Sequence, residues 1–307
     1  MNCSVFHFLL KLLLLCGVLA AITLVVLKRS SQEFVDLFYG KFLRPAPSLI
    51  LGSSRAAQGI DPSSMMEAGE NNSTLNFAFT NANSPYGPVY LEAIRHKLSA
   101  ANKDAVFILE VNPLLLSLNE KEKNDTDTWR ENDLTLDRQI TFNEEPNYEY
   151  LLRNYRQPLY KLALGYASSD FQTLHSNGWL EQRVSMESKE VAKRKERMLA
   201  SYRDVFKKHR PSPQRMEWLA KTVGFLKQHG RVVLVRIPTS GEMADLEYAY
   251  WEDFSQDLQA LSQKHDAEYF DLISQSDTAE TIDGHHLSIS AAKALSKRLG
   301  ALLKSNP

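Results

Sequence analysis

Past Cys16 the chain has no cysteine, since Cys3 and Cys16 are the only two in 307 residues. That lack removes from residues 17–307 any disulfide, any thiolate nucleophile and any cysteine-based zinc site. It is compatible with an oxidising compartment but does not identify one. An excess of one charge sign is missing as well. Lys and Arg number 36 against 37 Asp and Glu, a formal net charge of -1. Composition therefore gives no electrostatic reason to expect a nucleic-acid partner. No internal repeat or long low-complexity tract is present, and no histidine or carboxylate cluster has the spacing of a metal site. Neither a metal nor a cofactor is expected. What remains is an ordinary globular balance, 43% apolar and 24% charged, in a length that holds one large domain or two small ones.

One long apolar run is present, at the N-terminus. From Val5 to Leu27 the residues are almost all apolar, with Lys11 the one full charge and Lys28-Arg29 closing the run. That length suffices to cross a bilayer, with Lys11 near enough to one end to snorkel. Residues 1–29 are expected to form a single-pass signal anchor. A cleaved signal peptide is the rival, because Val18-Leu19-Ala20 loosely fits a cleavage site, although the apolar run continues well past it. Lys28-Arg29 favour a cytoplasmic C-terminal flank and Lys11 a cytoplasmic N-terminus, so the charge rule leaves orientation open. Residues 30–47 read as a short amphipathic connector ending in two prolines.

Beyond the connector, apolar runs bounded by turn residues alternate with helix-length patterns. Strands are expected at Ser48–Leu51, Leu75–Phe79, Ala105–Val111, Arg231–Ile237 and Ala267–Leu272. They are apolar along most of their length, as strands covered on both faces are. Helices are expected near Pro62–Gly69, Tyr86–Ala101, Gln214–Gln228, Trp251–Lys264 and Ser288–Lys304. This alternation predicts an α/β fold, a three-layer α/β/α sandwich around a flavodoxin-like parallel sheet spanning residues 48–307. Residues 114–213 break the rhythm. They are highly charged and read as a mainly helical insertion, in which "ESKEVAKRKERMLASYRDVFKKHR" is a solvated helix.

Two stretches carry candidate chemistry. The first strand runs into Gly52-Ser53-Ser54-Arg55, a plain strand-ending turn unless partners make one serine a nucleophile. Near the C-terminus, "TIDGHHL" places Asp283 and His286 just ahead of a helix that Ser288 can cap. An aspartate on such a loop can take one imidazole N–H and leave the other nitrogen free as a base. The same four residues also suit an ordinary surface loop with a helix cap, and His285 competes for the base role. Both stretches follow strands of the expected sheet, and so lie at the carboxyl edge where open parallel sheets bind ligands.

In this order the blocks resemble the SGNH (GDSL-like) hydrolase superfamily. There the nucleophilic serine follows Gly-Asp at the end of the first strand, and a late Asp-x-x-His completes the triad. The resemblance implies Ser54 as nucleophile, with Ser53 standing where the family has aspartate, and Asp283 and His286 as orienting acid and base. It implies an oxyanion hole built from the Ser54 amide, Asn81 after the second strand and Asn112 after the third. Asn81 departs from the family's glycine, and Glu110 and Pro113 depart from its Gly-x-Asn-Asp block. Arg55 is a candidate contact for an anionic substrate group, against the plainer reading of a helix-start arginine that is solvated or paired locally. The resemblance covers residues 48–112 and 231–303 and leaves out the insertion.

With an apolar anchor, "GSSR" in place of Gly-Asp-Ser-Leu and a helical insertion, the chain looks less like a secreted lipase and is more similar to SGNH-like proteins of bacterial envelope polysaccharide O-acylation. The resemblance implies a membrane-anchored serine esterase or O-acyltransferase acting on cell-envelope glycan. Its partners would be an acylated glycan or acyl donor and a multi-spanning membrane acyltransferase. It would sit in the inner membrane with the domain facing the periplasm or exterior. The departures at Asn81 and Glu110 motivate a second expectation, a non-catalytic SGNH-like module that binds polymer or scaffolds an acylation complex. A cytoplasm-facing domain is the third.

Overall fold

The computed structural model describes residues 3–32, 38–67, 74–80, 82–98, 105–134, 136–138, 141–143, 145–154, 160 and 171–305. The apolar N-terminal run forms one helix, α1 (Cys3–Gln32). Next come β1 (Ser48–Leu51), α2 (Ser54–Gly59), α3 (Pro62–Glu67), β2 (Thr74–Asn76), α4 (Pro88–Lys97) and β3 (Ala105–Glu110). The following segment contains β4 (Ser117–Asn119), α5 (Tyr148–Asn154), β5 (Gln172–Leu174), β6 (Leu180–Gln182), α6 (Ser188–Lys207) and β7 (His209–Pro211). The chain then returns through α7 (Pro213–Leu226), β8 (Gly230–Arg236), α8 (Gly241–Tyr250), α9 (Phe254–Lys264), β9 (Glu268–Asp271) and α10 (Ile289–Ser305).

Five strands form one parallel sheet in the order β2-β1-β3-β8-β9. Its central strands are buried because each face is covered by helices. Leu49, Leu51, Phe107, Leu109, Val232 and Leu234 point into a core with residues of α4, α7 and α9. Their neighbours Ile50, Val106, Ile108, Val233 and Val235 point into a second core with α2, α3 and α10. That alternation sends each strand's side chains into two separate cores. The fold is therefore a three-layer α/β/α sandwich with the flavodoxin-like strand order. Its crevice lies at the carboxyl ends of β1 and β3, where the chain switches direction across the sheet.

The second strand is shorter than expected, but its extended chain continues along β1. The N–H groups of Phe77 and Phe79 donate to the carbonyls of Ile50 and Gly52 at 2.8 and 3.2 Å. The insertion differs more. Four short strands, β4 to β7, pair antiparallel in twos, and 3-10 turns occupy much of residues 126–138. The β4–β7 ladder, Ser117 opposite Pro211, closes the insertion at its neck. Its charged helix α6 buries one stripe. Leu199 and Tyr202 pack with Leu114 and Met243, so α6 lies on α8 and is not solvated all round. Residues 155–159 and 161–170, inside the expected insertion, fall outside the described residues.

Candidate active site

The turn after β1 treats its two serines in opposite ways. Gly52 has φ +150°, a conformation that suits a residue without a Cβ. Ser53 is fully buried and caps α2, its hydroxyl accepting the Arg55 N–H at 3.2 Å. Ser54 opens the helix and stays partly exposed.

On the other side of the crevice, residues 281–287 form a closed loop. Thr281 and Leu287 bridge antiparallel, and the Ile282 N–H donates to the His286 carbonyl at 2.9 Å. Asp283 ties the loop from within. Its Oδ1 accepts the N–H groups of His285 and His286 at 2.9 and 2.8 Å. Its Oδ2 lies 2.8 Å from His286 Nδ1. A carboxylate accepts only, so Nδ1 carries a proton, and in the neutral ring Nε2 is the free lone pair. His286 Nε2 lies 2.9 Å from Ser54 Oγ, in position to accept the hydroxyl proton. Burial opposes ionisation of Asp283, but the His286 ring and the two backbone N–H groups outweigh it and hold its pKa below the ordinary carboxylate value. Ser288 is the expected cap of the following helix, its hydroxyl accepting the Ala291 N–H at 3.2 Å.

At the end of β3, Glu110 is fully buried and joins the two strand ends. Its Oε2 accepts the Ser53 N–H at 2.8 Å and its Oε1 accepts an Asn112 Nδ2 proton at 2.6 Å. Asn112 Oδ1 accepts the Leu115 N–H at 3.0 Å. Asn112 is thus held at the β3 end with one amide proton committed to Glu110. Burial pushes the Glu110 carboxyl up, against the pull of Arg55 and of its Ser53 and Asn112 hydrogen bonds. Asn81 lies outside the described residues.

Arg55 does not stay at the surface, as a contact for a substrate anion would need to. It is 1% exposed; its guanidinium pairs with Glu247 and donates through Nε to His285 Nδ1 at 3.2 Å. The reason is tertiary: α2 buries the residues that follow Ser54, and α8 presents the buried carboxylate of Glu247 to the guanidinium. His285, the rival base, is also buried. Its Nε2 meets the Tyr202 hydroxyl at 3.0 Å, and burial with the adjacent Arg55 and His286 holds its pKa well below the ordinary imidazole value. Only His286 faces Ser54 in this pair.

Three contributors were not assigned a role from sequence. Glu110 stood out only as a departure from a family block. Glu247 lies on α8, a helix not expected. Tyr202 lies in the charged helix, where Leu199, Tyr202 and Phe206 follow one another at helical spacing and mark a face to be covered. Among the described residues no group of His, Cys, Asp or Glu is arranged to hold a metal ion.

No protein-family model matches the chain, and no curated protein matches it. Among solved structures it is similar to Est24, a carbohydrate acetylesterase from Sinorhizobium meliloti, at 12% identity and a TM-score of 0.38, over 84% of this chain and 99% of that one.

Proposed function

We propose that this chain is an SGNH-type serine esterase acting on acyl esters of carbohydrate. The observation that carries this reading is the line Ser54 Oγ, His286 Nε2, His286 Nδ1, Asp283 Oδ2, with contacts of 2.9 and 2.8 Å at the sheet's crevice. A serine hydroxyl becomes an effective nucleophile when an oriented base takes its proton, and this arrangement supplies one.

In the proposed reaction Ser54 Oγ attacks the ester carbonyl carbon while its proton passes to His286 Nε2. The oxyanion that forms is met by the Ser54 N–H and the second Asn112 amide proton. Collapse breaks the bond to the leaving alcohol, which takes the proton from His286. The acyl group now sits on Ser54. Water or a sugar hydroxyl gives its proton to His286 and attacks the acyl carbon, releasing acid or transferred ester and restoring the Ser54 hydroxyl.

The finer reading is an O-acyltransferase or esterase of envelope glycan, held in the inner membrane by α1 with its domain outside the cytoplasm. Two features support it. The run Val5–Arg29 is long and apolar enough to cross a membrane, a test that a signal sequence also passes. A polar groove of about 640 Å³ between α6 and α8, bordered by Lys195, Ser240, Glu242 and Thr281, suits a hydroxyl-rich ligand two residues from Asp283.

The test uses the full chain in detergent with p-nitrophenyl acetate and a fluorophosphonate probe. Wild type is expected to release nitrophenol and to become labelled, and Ser54→Ala to do neither. His286→Gln is expected to lower turnover by about 10³-fold or more. Wild-type rates in either variant would overturn the triad. Glycan binding that survives both substitutions, in a wild type that neither hydrolyses nor labels, would instead establish the scaffold reading.

A further inference from the structure

We propose that Arg55 and Tyr202 are positioning residues which grip His285 from its two ring nitrogens and thereby fix the neighbouring His286 opposite Ser54. The inference rests on the esterase reading of that triad and extends it to a buried layer beneath it. Arg55 immediately follows the nucleophile, and His285 immediately precedes the base. A bond between those two side chains therefore ties the nucleophile turn to the base loop, although 230 positions separate them in sequence.

The geometry sets the protonation of this layer. Arg55 Nε and Nη2 lie 3.2 and 3.0 Å from His285 Nδ1, and a guanidinium only donates. Nδ1 must therefore be the bare nitrogen, and Nε2 carries the proton that the Tyr202 hydroxyl accepts at 3.0 Å. His285 is thus an Nε2–H imidazole beside His286, whose Nδ1 proton is held by Asp283. Their rings meet edge to face at 4.4 Å. Tyr202 adds a ring contact at 4.7 Å to His285. The three side chains are 1 to 3% exposed as residues, so these bonds are shielded from bulk solvent.

The clamp is itself braced. Arg55 pairs with one oxygen of Glu247 while Arg236 holds the other at 3.2 Å. The face of α6 that bears Tyr202 makes two more contacts with the loop. Arg194 Nε donates to the Ile282 carbonyl at 2.8 Å, and a Cβ on Gly284 would lie 2.7 Å from Lys195 Cγ. The insertion helix is in this way the back wall of the base loop.

Tyr202→Phe removes one hydroxyl and keeps the ring, so it loosens the grip without opening a cavity. In the full chain it is expected to lower kcat on p-nitrophenyl acetate by on the order of 10- to 100-fold, with KM little changed. Fluorophosphonate labelling should slow in step, while the melting temperature falls by only a few degrees, as one unpaired buried N–H implies. Imidazole ¹⁵N spectra give a second readout: His285 is expected as the Nε2–H form in wild type and as a tautomer mixture in Arg55→Lys. Wild-type kcat in Tyr202→Phe, or a wild-type His285 found as the Nδ1–H form, would overturn the clamp. A wild type inert to the probe would overturn the esterase reading. The clamp is then decided by the spectra, standing if Tyr202→Phe disturbs the His286 ring and falling if it does not.

Discussion

Gly52 is the tightest point of the nucleophile turn. A Cβ there would lie 2.6 Å from Glu110 Cβ, 2.7 Å from Glu110 Oε2 and 2.9 Å from Ala56 Cβ. All three neighbours are fixed, since Glu110 is buried between its two donors and Ala56 lies inside α2. Gly52→Ala therefore meets both backbone strain and overpacking, together a loss on the order of 3 kcal/mol. A urea midpoint lowered to match, with slower labelling of Ser54, is the expected outcome. An unchanged midpoint would mean that the turn is looser than its contacts imply. The same residue shows where the sequence was readable. A glycine at a strand end ahead of two serines signals a sharp turn, but nothing in "GSSR" separates the serines. Ser53 faces inward and Ser54 outward because Glu110 draws in the Ser53 amide, a contact between residues 57 positions apart.

At the scale of elements, the base loop predicts a pH effect. The folded Asp283 has a pKa below its ordinary 3.8. A depressed carboxylate contributes stability that is present above the unfolded value and is lost as pH falls through the folded one. The stability difference between wild type and Asp283→Asn should accordingly be constant near neutrality and shrink below about pH 3.8, by at most about 1.4 kcal/mol per pH unit. Denaturation at stepped acid pH measures it, and a flat difference would show that the loop does not hold the charge. The strands around this loop were legible because burial on both faces leaves an unbroken apolar run. Helix α8 was not, because the positions it buries include Met243 and Glu247, and a buried carboxylate interrupts the apolar period that marks a helix. The paired strands of the insertion were illegible for another reason. Each is three residues long, too short for a period of two to register. The family resemblance implied Ser54, Asp283 and His286, and the fold brings their side chains within hydrogen-bond distance. The burial of Arg55 was not legible because its partner Glu247 comes from that unexpected helix.

For the whole molecule, the junction between α1 and the domain is built into the core. Leu27 of α1 is buried among Tyr39, Phe42 and Leu49, and two lysines stitch the turn that follows to the sheet. Lys97 Nζ donates to the carbonyls of Lys41 and Arg44, while Lys41 Nζ reaches the carbonyls of Asn76 and Ala78 at 2.8 and 2.5 Å. No carboxylate joins either described contact set. The rings of Phe142 and Phe77 face the Lys97 ammonium at 4.6 and 5.6 Å, a contact worth about 0.5–2 kcal/mol to the charged form. Burying an ammonium costs several kcal/mol, so burial wins, and with the nearby Arg44 charge it brings Lys97 down from 10.5 to about 7. Between those values the unfolded chain binds a proton that the folded chain does not, so this lysine makes stability rise with pH. Relative to Lys97→Met, wild type should gain stability from pH 7 toward 10.5, at up to about 1.4 kcal/mol per unit. Parallel urea titrations of the two full chains in detergent read the difference. A difference that stays level across that range would mean that Lys97 remains an ammonium and that the carbonyls and rings around it meet the full cost of its burial.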